Sequence, residues 1–591
     1  MIKLIIGLII LLTPFLLIEK FKNKVEGFFT IITLSITFHL ILALITQALG
    51  IFNYTLILII NLAIISIILF KIDYSNLKNT IKRTKFDPVL IPVITFLSII
   101  FYSVHYNFTG IISKLGISRM PIENLSYTYP YFSDEWVAIK LINYIIGSGN
   151  LPISNPYWHN IPFSNFVFAF QSFLSEIFLL LDLNPLTNYV KISIIVSILI
   201  CLTVFAILKI NKIGSLPAAI ACMSIAYIVN GSNLPGLWTL IPVILGLLTF
   251  LISLIFIKLK NNKMLLVSSF LTLLFYPPFV IFLLASIIAT ILFNKKKKYN
   301  LKKISLILGI TILAAAIVLM ITAYNLSFDV GMITTKILEK LIFLALPAAI
   351  INFPLWIIIP PIILIVSLFG LNKFKENAWL ISPVAVGLML WTIYSLTIIR
   401  TIISYERTLF ITSILIVILS GFGIANIEKI LNKNRKINRY KLTKWTMAII
   451  IGIMLIFSFS YTERTNWQKL EIRLNEEKII IIPASPANQY LTEEDLRIFS
   501  NISHKNFTAP PWKGLVIGTA TNNYPLNTKD STIYLNILNN DYFMSLNCDK
   551  KTIEALRYNI NYVYSSEINC PNFEYVDKSN SENLYLYKFN G

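Results

Sequence analysis

Residues Tyr131–Pro156 read YFSDEWVAIKLINYIIGSGNLPISNP, and the rest of the chain is understood from them. An acidic pair, Asp134 and Glu135, stands directly before Trp136. Behind the pair, Val137, Leu141, Ile142, Ile145 and Ile146 recur at helical spacing. Gly147-Ser-Gly-Asn stops that run, and Pro152 and Pro156 keep the residues around them extended. The pattern predicts a short amphipathic helix lying on a membrane surface. Its two carboxylates would face a cavity at the water–lipid boundary.

Long apolar segments on both sides of this stretch supply the membrane context. The chain has 591 residues, a mean hydropathy of +0.73 and only 13% charged residues, against about 25% in soluble domains. Many runs reach the roughly 20 apolar residues that cross a bilayer. The expected fold is therefore a polytopic α-helical membrane protein of about 13–14 spans. The net charge of +21 does not point to nucleic acid, because the basic residues lie between apolar runs and not on one globular face. Basic loops held against anionic lipid head groups explain it.

Orientation follows from where the lysines fall. Lys20, Lys22 and Lys24 precede one pair of spans, and Lys71, Lys78, Lys82, Arg83 and Lys85 follow it. These loops mark the cytoplasmic side, which places the loop from Asn107 to 186, with Asp134 and Glu135, outside. Phe163–Leu181 is apolar enough to cross. Were it to cross, Lys209, Lys212, Lys258–Lys263 and Lys295–Lys298 would all face outward. A re-entrant or surface helix restores the lysine pattern, and Glu176 within the segment supports that choice. Later spans are expected at about 187–208, 215–230, 236–257, 264–276, 278–293, 304–324, 354–371, 378–395, 408–426 and 445–461. Leu341–Ile351 is expected as a partial helix. The membrane part thus covers 1–461. Residues 462–591 are polar and mixed, enough for one small α/β unit on the outer side. Ile479–Ile482, Leu515–Thr519, Tyr562–Tyr564 and Leu584–Tyr587 read as strands there, and Lys551–Arg557 as a helix.

The residues that could carry chemistry cluster on the outer side. Asp134 and Glu135 can act as a general base; equally, acidic residues suit any helix N-terminus. His159, in Asn155-Pro-Tyr-Trp-His-Asn, could touch a sugar beside Tyr157 and Trp158, whose rings also fit an interfacial aromatic belt. Lys336, Arg400 and Arg407 form a cationic set that suits a membrane-embedded phosphate, with Arg offering bidentate geometry. The alternative for each is a cation reaching to the interface from a helix end. One acidic pair is too few ligands to define a metal site, so a divalent metal stays open as a cofactor. Of the four cysteines, Cys201 and Cys222 lie in apolar runs, while Cys548 and Cys570 share the outer unit and could form a disulfide across a short loop.

Taken together, the chain resembles the GT-C superfamily of integral-membrane glycosyltransferases. The resemblance rests on Ser133-Asp134-Glu135-Trp136 in a first large outer loop, with its amphipathic helix and the extended Leu151-Pro-Ile-Ser-Asn-Pro. It continues in the short paired spans about Tyr276-Pro-Pro, in Glu406-Arg407-Thr-Leu-Phe leading to Gly421 and Gly423, and in the outer C-terminal unit. It implies transfer of a sugar from a polyprenyl-phosphate carrier to a glycan, lipid or protein acceptor. An outer-loop Asp or Glu would be the base, and outer Arg or Lys would hold the carrier phosphate. The Trp-Trp-Asp motif of the superfamily's oligosaccharyltransferases is absent, so en bloc transfer to asparagine is not implied. Two other readings compete: a polysaccharide or lipid transporter, whose ionisable residues would sit at mid-membrane, and a scaffold or sensor that works through its outer unit.

Overall fold

The computed structural model describes residues 2–73, 75, 87–106, 129–130, 133–152, 154–162, 168–228, 237, 239–293, 361–373, 376–396, 405–433, 470–475, 478–483, 491–528, 537–580 and 582–591. The spans expected at 304–324 and 445–461, the partial helix Leu341–Ile351 and the boundary at 461/462 lie outside them.

Helices dominate the first two thirds. They are α1 (Ile2–Leu12, continued as a 3-10 turn to Lys20), α2 (Lys24–Ala48), α3 (Tyr54–Lys71), α4 (Leu90–Tyr106) and α5 (Ser133–Ser148). A small hairpin comes next, β1 (Ser154–Asn155) with β2 (Trp158–Pro162). Then come α6 (Phe168–Leu181), α7 (Pro185–Ile210), α8 (Ser215–Ser224), α9 (Pro242–Leu259), α10 (Asn262–Phe275), α11 (Val280–Phe293), α12 (Pro361–Phe369), α13 (Ala378–Leu396) and α14 (Tyr405–Lys433). Among the described residues six helical segments are long and apolar enough to cross a membrane, and seven shorter apolar ones accompany them. The chain is a polytopic helical membrane protein.

Local chemistry explains several helix starts. Asn23, Asn53, Asn184 and Asn261 each accept an amide of the first turn beyond them, opening α2, α3, α7 and α10. Tyr276-Pro277-Pro278 separates α10 from α11, because neither proline can donate to a helix ladder. The bundle is pinned by small polar pairs between α9 and α10, Thr249–Thr272 at 3.0 Å and Ser253–Ser268 at 2.8 Å. Nearly all of α9 is buried, so it is the central post of the bundle.

Phe168–Leu181 packs lengthwise beneath α5. Ala138, Ile139 and Ile142 meet Phe170 and Leu174 in one cluster, and Ile145 meets Leu180 in another. Its 14 described residues span about 21 Å. Glu176 is fully buried, its Oε1 2.8 Å from His39 Nδ1 on α2. A charge-capable group so enclosed needs such a partner.

After α14 the chain turns to strands. β3 (Leu470–Asn475) and β4 (Lys478–Pro483) form a hairpin. Beyond it lies a five-stranded mixed sheet in the order β6-β5-β7-β9-β8, built from β5 (Asn506–Thr508), β6 (Tyr524–Pro525), β7 (Tyr562–Ser565), β8 (Phe573–Ser579) and β9 (Leu584–Phe589). Helices α15 (Glu493–Phe499), α16 (Pro511–Ala520), α17 (Asn540–Ser545) and α18 (Cys548–Arg557) complete a small α/β unit. The Cys548–Cys570 disulfide ties the start of α18 to the turn before β8. One expectation is overturned here. Leu515–Thr519 is not a strand but the middle of α16, which Pro511 opens at its first turn. A five-residue apolar run has no readable period, and this one is buried on every side.

Candidate active site around the acidic helix

The first turn of α5 carries both carboxylates, where the helix dipole favours negative charge. Their environments differ sharply. Glu135 is 1% exposed, and its Oε1 accepts the Leu240 N–H at 2.7 Å. The Leu240 carbonyl in turn accepts the Tyr189 hydroxyl at 2.5 Å. Ser197 donates to the Leu237 carbonyl, fixing the same entry into α9. Glu135 is therefore a clamp on the segment that leads into the central helix. Asp134 is only partly buried.

The helix itself does not lie free on a surface, as its amphipathic pattern suggested. Ala138, Ile139 and Ile142 face the membrane bundle, whereas Trp136, Val137 and Leu141 share a cluster with Phe507, Leu515, Val516 and Ile517 of the C-terminal unit. Two apolar stripes, one on each side, make α5 the layer between two cores. Tyr157 is buried in the second of these cores, so it serves neither as an exposed sugar platform nor as part of an interfacial belt. Its hydroxyl lies 2.7 Å from Thr519 Oγ1.

Arg407 is in the first turn of α14. Its Nη1 donates to the Tyr276 hydroxyl at 2.9 Å, and the guanidinium lies 5.2 Å from that ring's centroid. Tyr276 in turn lies against Gly246 of α9, where an added Cβ would come within 2.5 Å of the Tyr276 Cβ. Gly246 is one turn inside α9, about 6 Å along the axis from Pro242. Glu135 reaches the segment just before the same helix, at Leu240. The acidic turn and Arg407 thus both attach to the N-terminal end of α9.

The other candidates fare differently. His159 falls on β2, but its side chain lies outside the described residues, as do Lys336 and Arg400 entirely. Among the described residues no group of three or more His, Cys, Asp or Glu could hold a metal. Lys140 was missed by sequence reasoning. Its Nζ donates to the Gly518 carbonyl at 2.6 Å and sits 5.5 Å from the Tyr157 ring centroid. Burial pushes its pKa down to about 8. Tyr276 was noticed only as a break between spans. Nothing in the spacing marks either residue, because their partners lie 378 and 131 residues away.

No protein-family model matches this sequence, and no curated protein matches it. Among solved structures it is similar to the archaeal oligosaccharyltransferase AglB from Archaeoglobus fulgidus in complex with an inhibitory peptide and a dolichol-phosphate. The identity is 12%, the TM-score 0.46, and the match covers 80% of this chain and 69% of that one. It is also similar to the Archaeoglobus fulgidus oligosaccharyltransferase in the apo form, at 13% identity and TM-score 0.43, over 80% and 69% of the two chains. A third match, to that enzyme's complex with Zn and sulfate, has 14% identity and TM-score 0.44, over 84% and 73%. At TM-scores below 0.5 these likenesses add nothing to the functional argument.

Proposed function

We propose that the chain is a GT-C-type membrane glycosyltransferase that moves a sugar from a polyprenyl-phosphate carrier to a glycan, lipid or protein acceptor. The reaction would take place on the extracytoplasmic side, where the C-terminal unit also lies. One observation carries this reading: the acidic first turn of α5, held through Glu135 and bearing the partly exposed Asp134, and an aromatic-backed arginine both attach at the same end of one central helix. An acceptor nucleophile would approach Asp134, which takes its proton as the anomeric carbon is attacked from the face opposite the carrier. Charge builds on the departing phosphate oxygen, and the Arg407 guanidinium, oriented by Tyr276, would hold it. The lipid tail would lie between the spans, so apolar burial supplies carrier affinity while the polar end of the bundle handles the sugar.

The test is turnover by the purified protein across a panel of polyprenyl-phosphate sugars. Transfer or hydrolysis is expected for at least one, and Asp134→Asn should lower it by about 10²-fold or more, the scale of general-base loss. Absence of turnover and of lipid-phosphate binding across the panel would refute the reading. Transport has one observation on its side, the enclosed His39–Glu176 pair within the bundle. Proton-coupled uptake into vesicles that His39→Ala abolishes would favour transport.

A further inference from the structure

The C-terminal unit grips α5 through one helix, α16. At its start, Lys513 is fully buried and paired with Asp495 at 2.5 Å and with Glu582. Tyr564 donates to the other oxygen of Asp495 at 2.7 Å. Gly514 leaves no room for a Cβ beside the Asn527 carbonyl. This end of α16 is therefore fixed to the sheet. The other end reaches α5. Gly518 presents its carbonyl to Lys140 and is closed in by Pro525 and Tyr157. Thr519 has a single hydroxyl hydrogen, directed at the carbonyls of Leu515 at 2.8 Å and Trp136 at 3.4 Å. The Tyr157 hydroxyl shares a hydrogen bond of 2.7 Å with Thr519 Oγ1. The Trp136 carbonyl belongs to the residue directly after Glu135.

We propose that α16 is a strut that sets the pose of the acidic first turn of α5, with Lys140, Tyr157 and Thr519 as positioning residues for the transfer reaction. The link to transfer rests on the function proposed above; the grip itself does not. A rigid strut anchored in a buried ionic cluster can hold a general base to the tolerance that a near-attack geometry needs. A lone amphipathic helix on lipid would rock about its own axis. The setting of the Lys140 ammonium at this joint supports the same view: although only partly buried, it is received by a carbonyl and a ring.

The test uses the full chain in detergent or nanodiscs. Thr519→Val keeps the shape and deletes the hydroxyl, Thr519→Ser restores it, and Lys140→Met removes the ammonium. Hydrogen exchange is followed at the α5 amides, with the β7 and β9 amides as a control for folding. In Thr519→Val and Lys140→Met, α5 exchange should rise on the order of tenfold, the scale of removing one buried hydrogen bond, and the sheet should stay protected. Thr519→Ser should return to wild type. In the same variants kcat should fall about tenfold while KM for the carrier stays within about twofold, since Arg407 is untouched. Unchanged α5 exchange would overturn the strut. So would looser exchange with unchanged kcat, or a Thr519→Ser variant as loose as Thr519→Val. If the wild type turns over no lipid phosphosugar, the functional reading fails, and the exchange data alone decide whether α16 holds α5.

Discussion

Replacing Glu135 separates a structural carboxylate from a chemical one. Its Oε1 accepts the amide of Leu240, a residue with no exposed surface. A hydrogen bond to a charged acceptor contributes about 1.5–3 kcal/mol, and a neutral one about 1 kcal/mol. Glu135→Gln keeps an oxygen at that position and should cost about 1 kcal/mol. Glu135→Ala leaves a buried N–H without its acceptor, about 1–3 kcal/mol, and removes one buried methylene at roughly 0.8 kcal/mol. The sum is about 2–4 kcal/mol. Asp134→Asn, at a partly exposed position, should cost no more than about 1 kcal/mol. The assay pairs melting, followed by loss of soluble monomer on heating, with sugar transfer. The expected order of melting is wild type, then Asp134→Asn close to Glu135→Gln, then Glu135→Ala well below. The expected order of turnover differs: Glu135→Gln keeps most activity, whereas Asp134→Asn falls by about 10²-fold. A Glu135→Gln protein that melts like wild type yet is dead, beside an active Asp134→Asn, would make Glu135 the base and refute the assignment. A Glu135→Ala protein that melts like wild type would remove the clamp on Leu240.

Removing the Cys548–Cys570 bridge with a double serine variant should destabilise the C-terminal unit by about 3 kcal/mol, from loop entropy over a separation of 22 residues; proteolysis of the intact chain should show earlier cleavage there. Burial raises the Glu582 carboxyl to about 7, although Lys513 pulls it down; Asp495 and Glu494 push it the same way as burial. A folded-state pKa above the unfolded value of 4.5 means that this stabilisation is complete below about pH 4.5 and disappears as pH rises through 7. The C-terminal unit should therefore resist protease better at pH 5.5 than at pH 8, and Glu582→Gln should flatten that difference. Arg407→Lys should bind a lipid-phosphate analogue at least about tenfold more weakly, because it loses both the planar fork and the stacking on Tyr276; affinity equal to wild type would take Arg407 out of the site.

Several parts of this molecule were legible in the residues alone. A span must be about 20 residues of apolar side chains whatever its neighbours, so α2, α3, α7 and α9 follow from composition. The strands at Tyr562 and Leu584 follow from residue type and alternation. That Phe168–Leu181 does not simply face lipid was visible in Glu176, because an unpartnered carboxylate cannot do so. Its partner His39, 137 residues away, was not visible. Leu515–Thr519 was misread because five apolar residues look alike as a strand or as a fully buried helix. The acidic pair could be found from sequence but not divided. Which carboxylate is sealed and which is only partly buried depends on the Leu240 amide, 105 residues distant. The same holds for Arg407 against Tyr276 and for α16 against α5. Length, period and residue type act within one segment and can be read there. The environment of a side chain is set by whichever segments pack against it, and only the tertiary structure brings those together.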